Sequence, residues 1–355
     1  MTMSTPTPAA PGDPPRVLVK EVNWLGDLVM SLPALKAVRR RFPNSHLAVL
    51  IRTELAGFFD GCEWIDEVIG YRRGGGIRSL AALRRIVSEI RTRRFDLAIL
   101  FPNSFSSALW TALAGVPRRV GYATDARGLL LTEKASPDAA ATDGHQANYW
   151  LGLVKNLVGA DGDAADCAIA AAPANRERMA AMLAALRGSS GARLIALAPA
   201  AAYGPAKEWP AEHYATLIDL LAAQANTQCV LVGAPAERER CARIAALSRS
   251  GVIVAAGETG VGDLIALLSL CDGFIGNDSG PMHLAGALGL PTVAIFGSTN
   301  PDRTGPLGPR VHIIYRPPAC SPCLDRTCRF GHYECLRRIT PQAALAALAA
   351  CTRPA

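Results

Sequence analysis

Residues 274–297, FIGNDSGPMHLAGALGLPTVAIFG, decide the fold of this 355-residue chain. The apolar residues at its start predict a short buried strand, and residues 277–280 have the composition of a tight turn. Ser279 is a favourable helix N-cap, and Pro281 suits the first turn of a helix because its missing N–H costs little there. A glycine and a proline end this helix, and residues 292–296 predict the next buried strand. The stretch is therefore a βαβ unit of a parallel sheet.

The start of this helix predicts a site for an anion, most naturally a phosphate. Free backbone N–H groups at Gly280, the hydroxyl of Ser279 and the imidazole of His283 all belong to the first turn. Taken alone, His283 could be an ordinary core histidine, but its position beside this turn favours a contact with phosphate. Asp278 is an acid at the same place, so the site must recognise more than charge.

The composition narrows the class of partner. The length of the chain predicts two domains of roughly 150–180 residues each. Half of the residues are hydrophobic, which is enough for two hydrophobic cores. The net charge of +7 favours anionic partners such as nucleic acid, anionic lipid or phosphorylated sugars. Aromatic residues are only 6% of the chain, too few for base-stacking surfaces. We therefore expect no nucleic-acid partner.

The chain is predicted to contain two α/β domains. Residues 1–15 are rich in Pro, Thr and Ala and predict a disordered tail, not a signal peptide. No apolar run reaches the roughly 18 residues of a spanning helix, so we expect a soluble protein. Strands alternating with helices indicate a parallel sheet in each half. The predicted strands are 16–22, 46–51, 67–71 and 95–101, then 194–198, 228–232, 252–256, 273–275, 292–296 and 311–315. The predicted domains are 16–165 and 166–338, followed by a C-terminal helical segment, 339–355.

Two further residues occupy the carboxyl ends of predicted strands, where the ligands of parallel sheets bind. Asp27 follows the first strand, but a helix-start acid stabilised by the helix dipole would look the same. Lys207 lies in the corresponding loop of the second half, where it could neutralise phosphate or simply be a solvated lysine. The chain contains neither a Gly-x-Gly-x-x-Gly nor a Walker A motif, so neither dinucleotide nor P-loop binding is supported.

A basic loop and a cysteine cluster complete the set of candidates. Arg72 and Arg73 follow a strand end and precede three glycines, so this loop could close on an anionic substrate. Four cysteines at short spacing could bind a structural zinc ion, although the spacing fits no common zinc template and reduced, packed cysteines are the alternative. These cysteines are Cys320, Cys323, Cys328 and Cys335.

Three ordered motifs resemble the ADP-heptose:lipopolysaccharide heptosyltransferases, which form glycosyltransferase family 9. They are WLGDLVMSLPAL (24–35), GPAKEWP (204–210) and GNDSGPMHLA (276–285), and CSPC (320–323) follows them. The resemblance runs from about residue 17 to residue 340. The GPAK and CSPC details look most like the members that add the second inner-core heptose.

The resemblance implies a GT-B fold, with two Rossmann-like domains, a cleft between them and a C-terminal helix, within 339–355, that packs back on the first domain. It implies an inverting, metal-independent transfer of heptose from ADP-heptose to a lipid A core oligosaccharide, with the donor on the second domain and the acceptor on the first. Asp27 matches the general base. The donor-binding positions are Lys207, Asp278, Ser279, Gly280 and His283. The acidic acceptor makes Arg72 and Arg73 the candidates for acceptor binding.

The same resemblance implies where the protein acts. The acceptor is anchored in the inner leaflet, so we expect a cytoplasmic protein bound peripherally to the inner membrane through its basic surface. No cofactor is expected beyond the possible structural zinc. The alternatives are a heptosyltransferase of another rank, a sugar-nucleotide epimerase of similar fold, and a non-catalytic binder of nucleotide sugars.

Overall fold

The structure, a computed structural model, describes residues 14–72, 78–186, 192–224 and 226–352. The chain divides into two compact units, Met1–Asp166 and Cys167–Ala355. Each unit contains one six-stranded sheet in which every neighbouring pair of strands is parallel.

The first unit alternates strands and helices along the chain. Its strands are β1 (Val17–Lys20), β2 (Leu47–Arg52), β3 (Glu67–Tyr71), β4 (Leu97–Leu100), β5 (Arg118–Tyr122) and β6 (Glu133–Ala135). Its helices are α1 (Leu25–Arg41), α2 (Arg78–Thr92), α3 (Phe105–Leu113), α4 (Ala139–Asp143) and α5 (Gln146–Val158).

The second unit repeats this alternation. Its strands are β7 (Arg193–Ala198), β8 (Thr227–Leu231), β9 (Val252–Val254), β10 (Gly273–Asn277), β11 (Thr292–Phe296) and β12 (Val311–Tyr315). Its helices are α6 (Pro173–Leu186), α7 (Ala211–Ala222), α8 (Arg238–Leu247), α9 (Val261–Ser269), α10 (Gly280–Ala287), α11 (Pro301–Thr304), α12 (Glu334–Arg337) and α13 (Pro341–Thr352).

Both sheets have the same strand order. The first is β3-β2-β1-β4-β5-β6, and the second, viewed from its other edge, is β9-β8-β7-β10-β11-β12. Numbered within its own unit, each sheet is therefore ordered 3-2-1-4-5-6, the doubly wound Rossmann arrangement. The predicted α/β class with two Rossmann-like domains is confirmed.

The sequence analysis identified the central strands because each is an apolar run buried on both faces, as in β1 and β4. It did not predict β5 or β6, which lie at one edge of the first sheet. The first two residues of β5 and all of β6 are at least partly exposed, and Arg118 Nε lies 2.7 Å from Glu133 Oε1 across the two strands. An edge strand held by such pairs has no apolar run that a sequence pattern could detect.

The C-terminal helix α13 contributes to the core of the second unit. It packs on α7 and on strands β10, β11 and β12. Leu336, Ile339 and Leu348 from this end of the chain are buried in the same apolar cluster as Trp209 and Tyr214. The prediction that residues 339–355 pack on the first unit stays a prediction.

No helix in the described part of the chain combines the length and the apolar character that crossing a bilayer requires.

A buried pair of charged residues, Lys20 and Glu21, lies where β1 ends. Desolvation lowers the pKa of Lys20 to about 7 and raises the pKa of Glu21 to about 7. Glu21 Oε2 accepts hydrogen bonds from Val22 N and from Ser31 Oγ, each at 3.0 Å. The Lys20 ammonium donates to the Glu21 carbonyl and lies 4.8 Å from the centre of the Tyr71 ring. These contacts join β1, β3 and α1.

Glu21→Gln is expected to change the pH dependence of stability. Because the pKa of Glu21 is raised in the folded state, the protonated carboxyl favours folding. This contribution to stability is fully present below the unfolded-state pKa of 4.5 and is lost as pH rises through about 7. Between pH 5 and pH 7, the free energy of unfolding of the wild type should therefore fall by roughly 2 kcal/mol relative to that of the variant. Urea denaturation at several pH values measures this difference. Glu54→Gln, which changes an exposed carboxylate, is the control. If the difference in the free energy of unfolding between the wild type and Glu21→Gln did not depend on pH, the expectation would be contradicted.

Candidate functional site

Two loops of the second unit meet at the carboxyl edge of its sheet. Strand β10 pairs with β7 so that Gly276 lies opposite Ala198, and the chain leaves both strands at the same edge. The loop after β7 carries Lys207 within a short 3-10 turn, and the loop after β10 carries Asp278 and the start of α10. The strand register therefore brings together motifs that are far apart in the sequence.

Asn277, the last residue of β10, connects these two loops. Its Oδ1 accepts hydrogen bonds from Trp209 N at 3.1 Å and from Tyr214 Oη at 3.0 Å. Its Nδ2 donates to Pro199 O at 2.7 Å. Because Asn277 is fully buried, losing any of these bonds would leave a polar group unsatisfied. The amide thus holds both ends of the Lys207 loop against β10.

Lys207 and Asp278 form a buried ion pair. The distance from Lys207 Nζ to Asp278 Oδ2 is 2.6 Å, and the two side chains are 13% and 5% exposed. Thr299 Oγ1, from the segment after β11, donates to the same carboxylate oxygen at 2.5 Å. The sequence analysis predicted both charged residues as donor-binding but did not predict that they contact each other.

The ion pair changes the interpretation of both residues. Lys207 is not a solvated loop lysine, because its ammonium is mostly buried against a carboxylate and lies 4.8 Å from the centre of the Tyr203 ring. Asp278 compensates the charge of Lys207 and fixes its position. The net charge of the pair is zero, so an anion bound here needs additional positive groups.

The start of α10 supplies part of that positive potential. Helix α10 begins at Gly280 with Pro281 in its first turn, as predicted. Ser279 stands at the N-cap, but its hydroxyl donates to Asn277 O at 3.2 Å and does not cap the helix. His283 is buried one turn into the helix. The first N–H groups and the positive end of the helix dipole are directed toward the loop region, where they favour an anion.

The candidate residues of the first unit lie at the carboxyl edge of its own sheet. Asp27 is half-buried in the first turn of α1. Its position therefore fits both a residue of the ligand site and an acid that is stabilised by the helix dipole. Its loop also contains Asn23, whose Oδ1 accepts from Tyr71 Oη at 2.7 Å. Arg72 is exposed directly after β3, which β2 separates from β1, and Arg73 lies outside the described residues.

The four cysteines of residues 320–335 line one small cavity together with His332. All four are free thiols. Desolvation alone would raise the pKa of Cys328, but hydrogen bonds from the backbone N–H groups of residues 330–333 lower it. Within the described ranges, however, no three His, Cys, Asp or Glu side chains are placed so that they could hold a metal ion. The structural zinc at Cys320, Cys323, Cys328 and Cys335 stays a prediction.

The sequence analysis missed Thr299 and Tyr203. No sequence signal distinguishes a threonine that donates a hydrogen bond to a buried carboxylate from an ordinary threonine in a loop after a strand. Tyr203 lies inside the Lys207 loop, and its hydroxyl donates to Leu324 O. Its proximity to the lysine was visible in the sequence, but its contact with the cysteine-rich segment was not.

Known proteins resemble this chain over nearly its whole length. The model of glycosyltransferase family 9 (heptosyltransferase) matches residues 83–334. The chain is 30% identical over 336 residues to lipopolysaccharide heptosyltransferase 2 of Salmonella typhimurium, covering 93% of this chain and 96% of that protein. It is also similar to the structure of ADP-heptose heptosyltransferase II of E. coli, with a TM-score of 0.81 and 27% identity, covering 95% of this chain and 98% of the other. A family 9 structure from Veillonella parvula has a TM-score of 0.84 at 23% identity, covers 97% and 99% of the two chains, and shows the fold alone.

Asp278→Asn is expected to destabilise the protein, because it leaves the mostly buried charge of Lys207 without a partner. We expect the free energy of unfolding to fall by about 2–3 kcal/mol. The double variant Lys207→Met/Asp278→Asn should lose less than the sum of the two single variants. Urea denaturation measures all three.

The control is Glu212→Gln, which removes one member of the exposed pair between Glu212 and Arg243 and should change stability little. Two results would contradict the expectation that the buried pair stabilises the protein more than an exposed pair does. One is an equal loss in the free energy of unfolding for Asp278→Asn and Glu212→Gln, and the other is strict additivity of the two single variants of the buried pair.

Proposed function

The chain belongs to glycosyltransferase family 9, the heptosyltransferases, and we propose that it moves L-glycero-D-manno-heptose from ADP-heptose to the inner core of lipopolysaccharide. The acceptor is heptosyl-Kdo2-lipid A, which receives its second heptose. One observation carries this proposal: the Lys207–Asp278 pair adjoins the start of α10 in a chain that matches heptosyltransferase 2 relatives almost from end to end.

The second unit binds the donor. The diphosphate of ADP-heptose lies at the start of α10, where the N–H groups of its first turn favour its charge and the ammonium of Lys207 donates hydrogen bonds to it. Ser279, Gly280 and His283 belong to the same turn. These groups matter most as the sugar departs, because negative charge then develops on ADP. Asp278 keeps Lys207 in place.

The first unit binds the acceptor and supplies the base. The acceptor hydroxyl oxygen attacks the anomeric carbon of heptose while the bond from that carbon to the diphosphate oxygen breaks. The electron pair leaves with ADP, and the hydroxyl proton passes to the carboxylate of Asp27. Attack opposite the leaving group inverts the anomeric centre. The positive groups of the second unit provide the charge that a metal ion would otherwise bring, so this mechanism requires none.

Peripheral binding to the cytoplasmic face of the inner membrane follows from the acceptor and the charge of the chain. The net charge is +7, and Arg72 is an exposed cation at the carboxyl edge of the first sheet. In this proposal Arg72 and Arg73 bind the acidic groups of the acceptor.

Co-sedimentation with vesicles tests the membrane proposal. Binding to vesicles that contain anionic lipid should weaken as salt is raised, because screening shortens the range of the attraction. Vesicles of neutral lipid are the control. Binding that is independent of salt, or equal on both kinds of vesicle, would contradict an electrostatic attachment.

Mass spectrometry of the reaction products tests the transfer itself. The full chain, incubated with ADP-heptose and heptosyl-Kdo2-lipid A, should add one heptose to the acceptor and release ADP. Asp27→Ala should bind ADP as the wild type does but lose most of the transfer, by roughly two to four orders of magnitude for a general base.

The other outcomes separate the alternatives. Transfer only to Kdo2-lipid A without heptose would assign the chain to another rank. Turnover of Asp27→Ala near that of the wild type would remove Asp27 from the role of base, and absence of any transfer would overturn the proposal.

A further inference from the structure

The charges around the proposed diphosphate site are mostly paired. Lys207 is matched by Asp278 at 2.6 Å, and Arg240 by Glu208 at 3.0 Å. The sugar diphosphate of a nucleotide sugar carries about two negative charges at neutral pH, and a charged ligand needs compensation when it leaves water. The two ion pairs offer no net positive charge, and the helix start contributes only about half a charge. A further cation is required.

Arg326, in the cysteine-rich segment, contacts the same aromatic ring as Lys207. Its guanidinium carbon is 5.3 Å from the centre of the Tyr203 ring, and the ammonium of Lys207 is 4.8 Å from the same centre. Cations are attracted to the electron-rich faces of an aromatic ring. Two cations from distant parts of the sequence thus contact one tyrosine ring.

The backbone of Arg326 is fixed to the loop that carries Lys207. Its carbonyl oxygen accepts a hydrogen bond from Ala206 N at 3.0 Å. Gly204 has φ of +142°, and a Cβ atom there would lie 2.6 Å from the same oxygen, so only glycine permits this approach. Leu324 N also donates to Ser298 O at 2.8 Å. These contacts hold Arg326 at a set distance from the Lys207 loop.

Unlike its neighbour Arg329, Arg326 has no acidic partner among the described residues. Arg329 Nε lies 2.6 Å from Asp325 Oδ2, whereas Arg326 makes no ion pair with any acid of the described ranges, and its side chain is exposed. A guanidinium that is exposed, uncompensated and held beside a phosphate-binding loop is suited to phosphate, which it can contact through two parallel N–H donors.

We propose that Arg326 binds the diphosphate of the nucleotide and supplies the positive charge that the Lys207–Asp278 pair lacks. This inference rests on the proposed function, in which the second unit binds a nucleoside diphosphate. Through Arg326, the cysteine-rich segment becomes part of the donor site.

Calorimetric titration of the full chain with ADP and with AMP tests this proposal. Arg326→Ala should weaken ADP binding about tenfold or more, since a charge-assisted bidentate contact is lost. It should weaken AMP binding less, because AMP lacks the second phosphate. Arg326→Lys keeps the charge but not the planar fork, so its affinity should fall between those of the wild type and the alanine variant.

Arg329→Ala is the matched control, because it removes a paired arginine from the same segment, and it should bind ADP as the wild type does. Wild-type affinity in Arg326→Ala would overturn the role of Arg326 while leaving the proposed function standing. Equal losses in Arg326→Ala and Arg329→Ala, or equal losses for AMP and ADP, would also overturn it. If the wild type itself binds no ADP, the proposed function fails and this inference with it.

Discussion

The buried ion pair between Lys207 and Asp278 is the interaction on which the candidate site of the second unit depends. Neither charge could be buried alone, because the desolvation of an unpaired ion costs several kcal/mol. The two loops at the carboxyl ends of β7 and β10 are therefore stable only together. Asn277 reinforces the same junction through neutral hydrogen bonds, and Thr299 through a hydrogen bond to the Asp278 carboxylate. The pair itself is electrically neutral, which leaves anion binding to the start of α10 and to the proposed contact of Arg326.

The first unit also buries ionisable side chains close to its own candidate residue, Asp27. Lys20 and Glu21 are charged groups enclosed at the end of β1, and hydrogen bonds from Ser31 in α1 and from Val22 satisfy one carboxylate oxygen. This arrangement fixes the end of β1 just before α1, whose first turn contains Asp27. Both units thus place a functional loop at the carboxyl edge of a 3-2-1-4-5-6 sheet, where the strand order reverses and ligands of this fold bind.

The sequence patterns predicted the central strands of both sheets, because parallel strands buried on both faces are apolar runs. They also located Lys207, Asp278 and the start of α10, because turn and cap residues act on their own neighbours along the chain. They failed for β5 and for the edge strand β6, which are joined by the ion pair between Arg118 and Glu133 and lack a long apolar run. They failed as well for Thr299, since a single threonine after a strand has no distinctive pattern.

By itself, then, the sequence determined the alternation of strands and helices, the two-unit plan and the family to which the chain belongs. Those properties follow from periodicity and from short motifs, which depend on residues close together in the chain. Only the tertiary structure decided that Asp278 pairs with Lys207 and that Arg326 shares an aromatic ring with that lysine. Such contacts depend on the register of β10 against β7 and on which charges lose their water together, and neither is encoded in any local stretch of sequence.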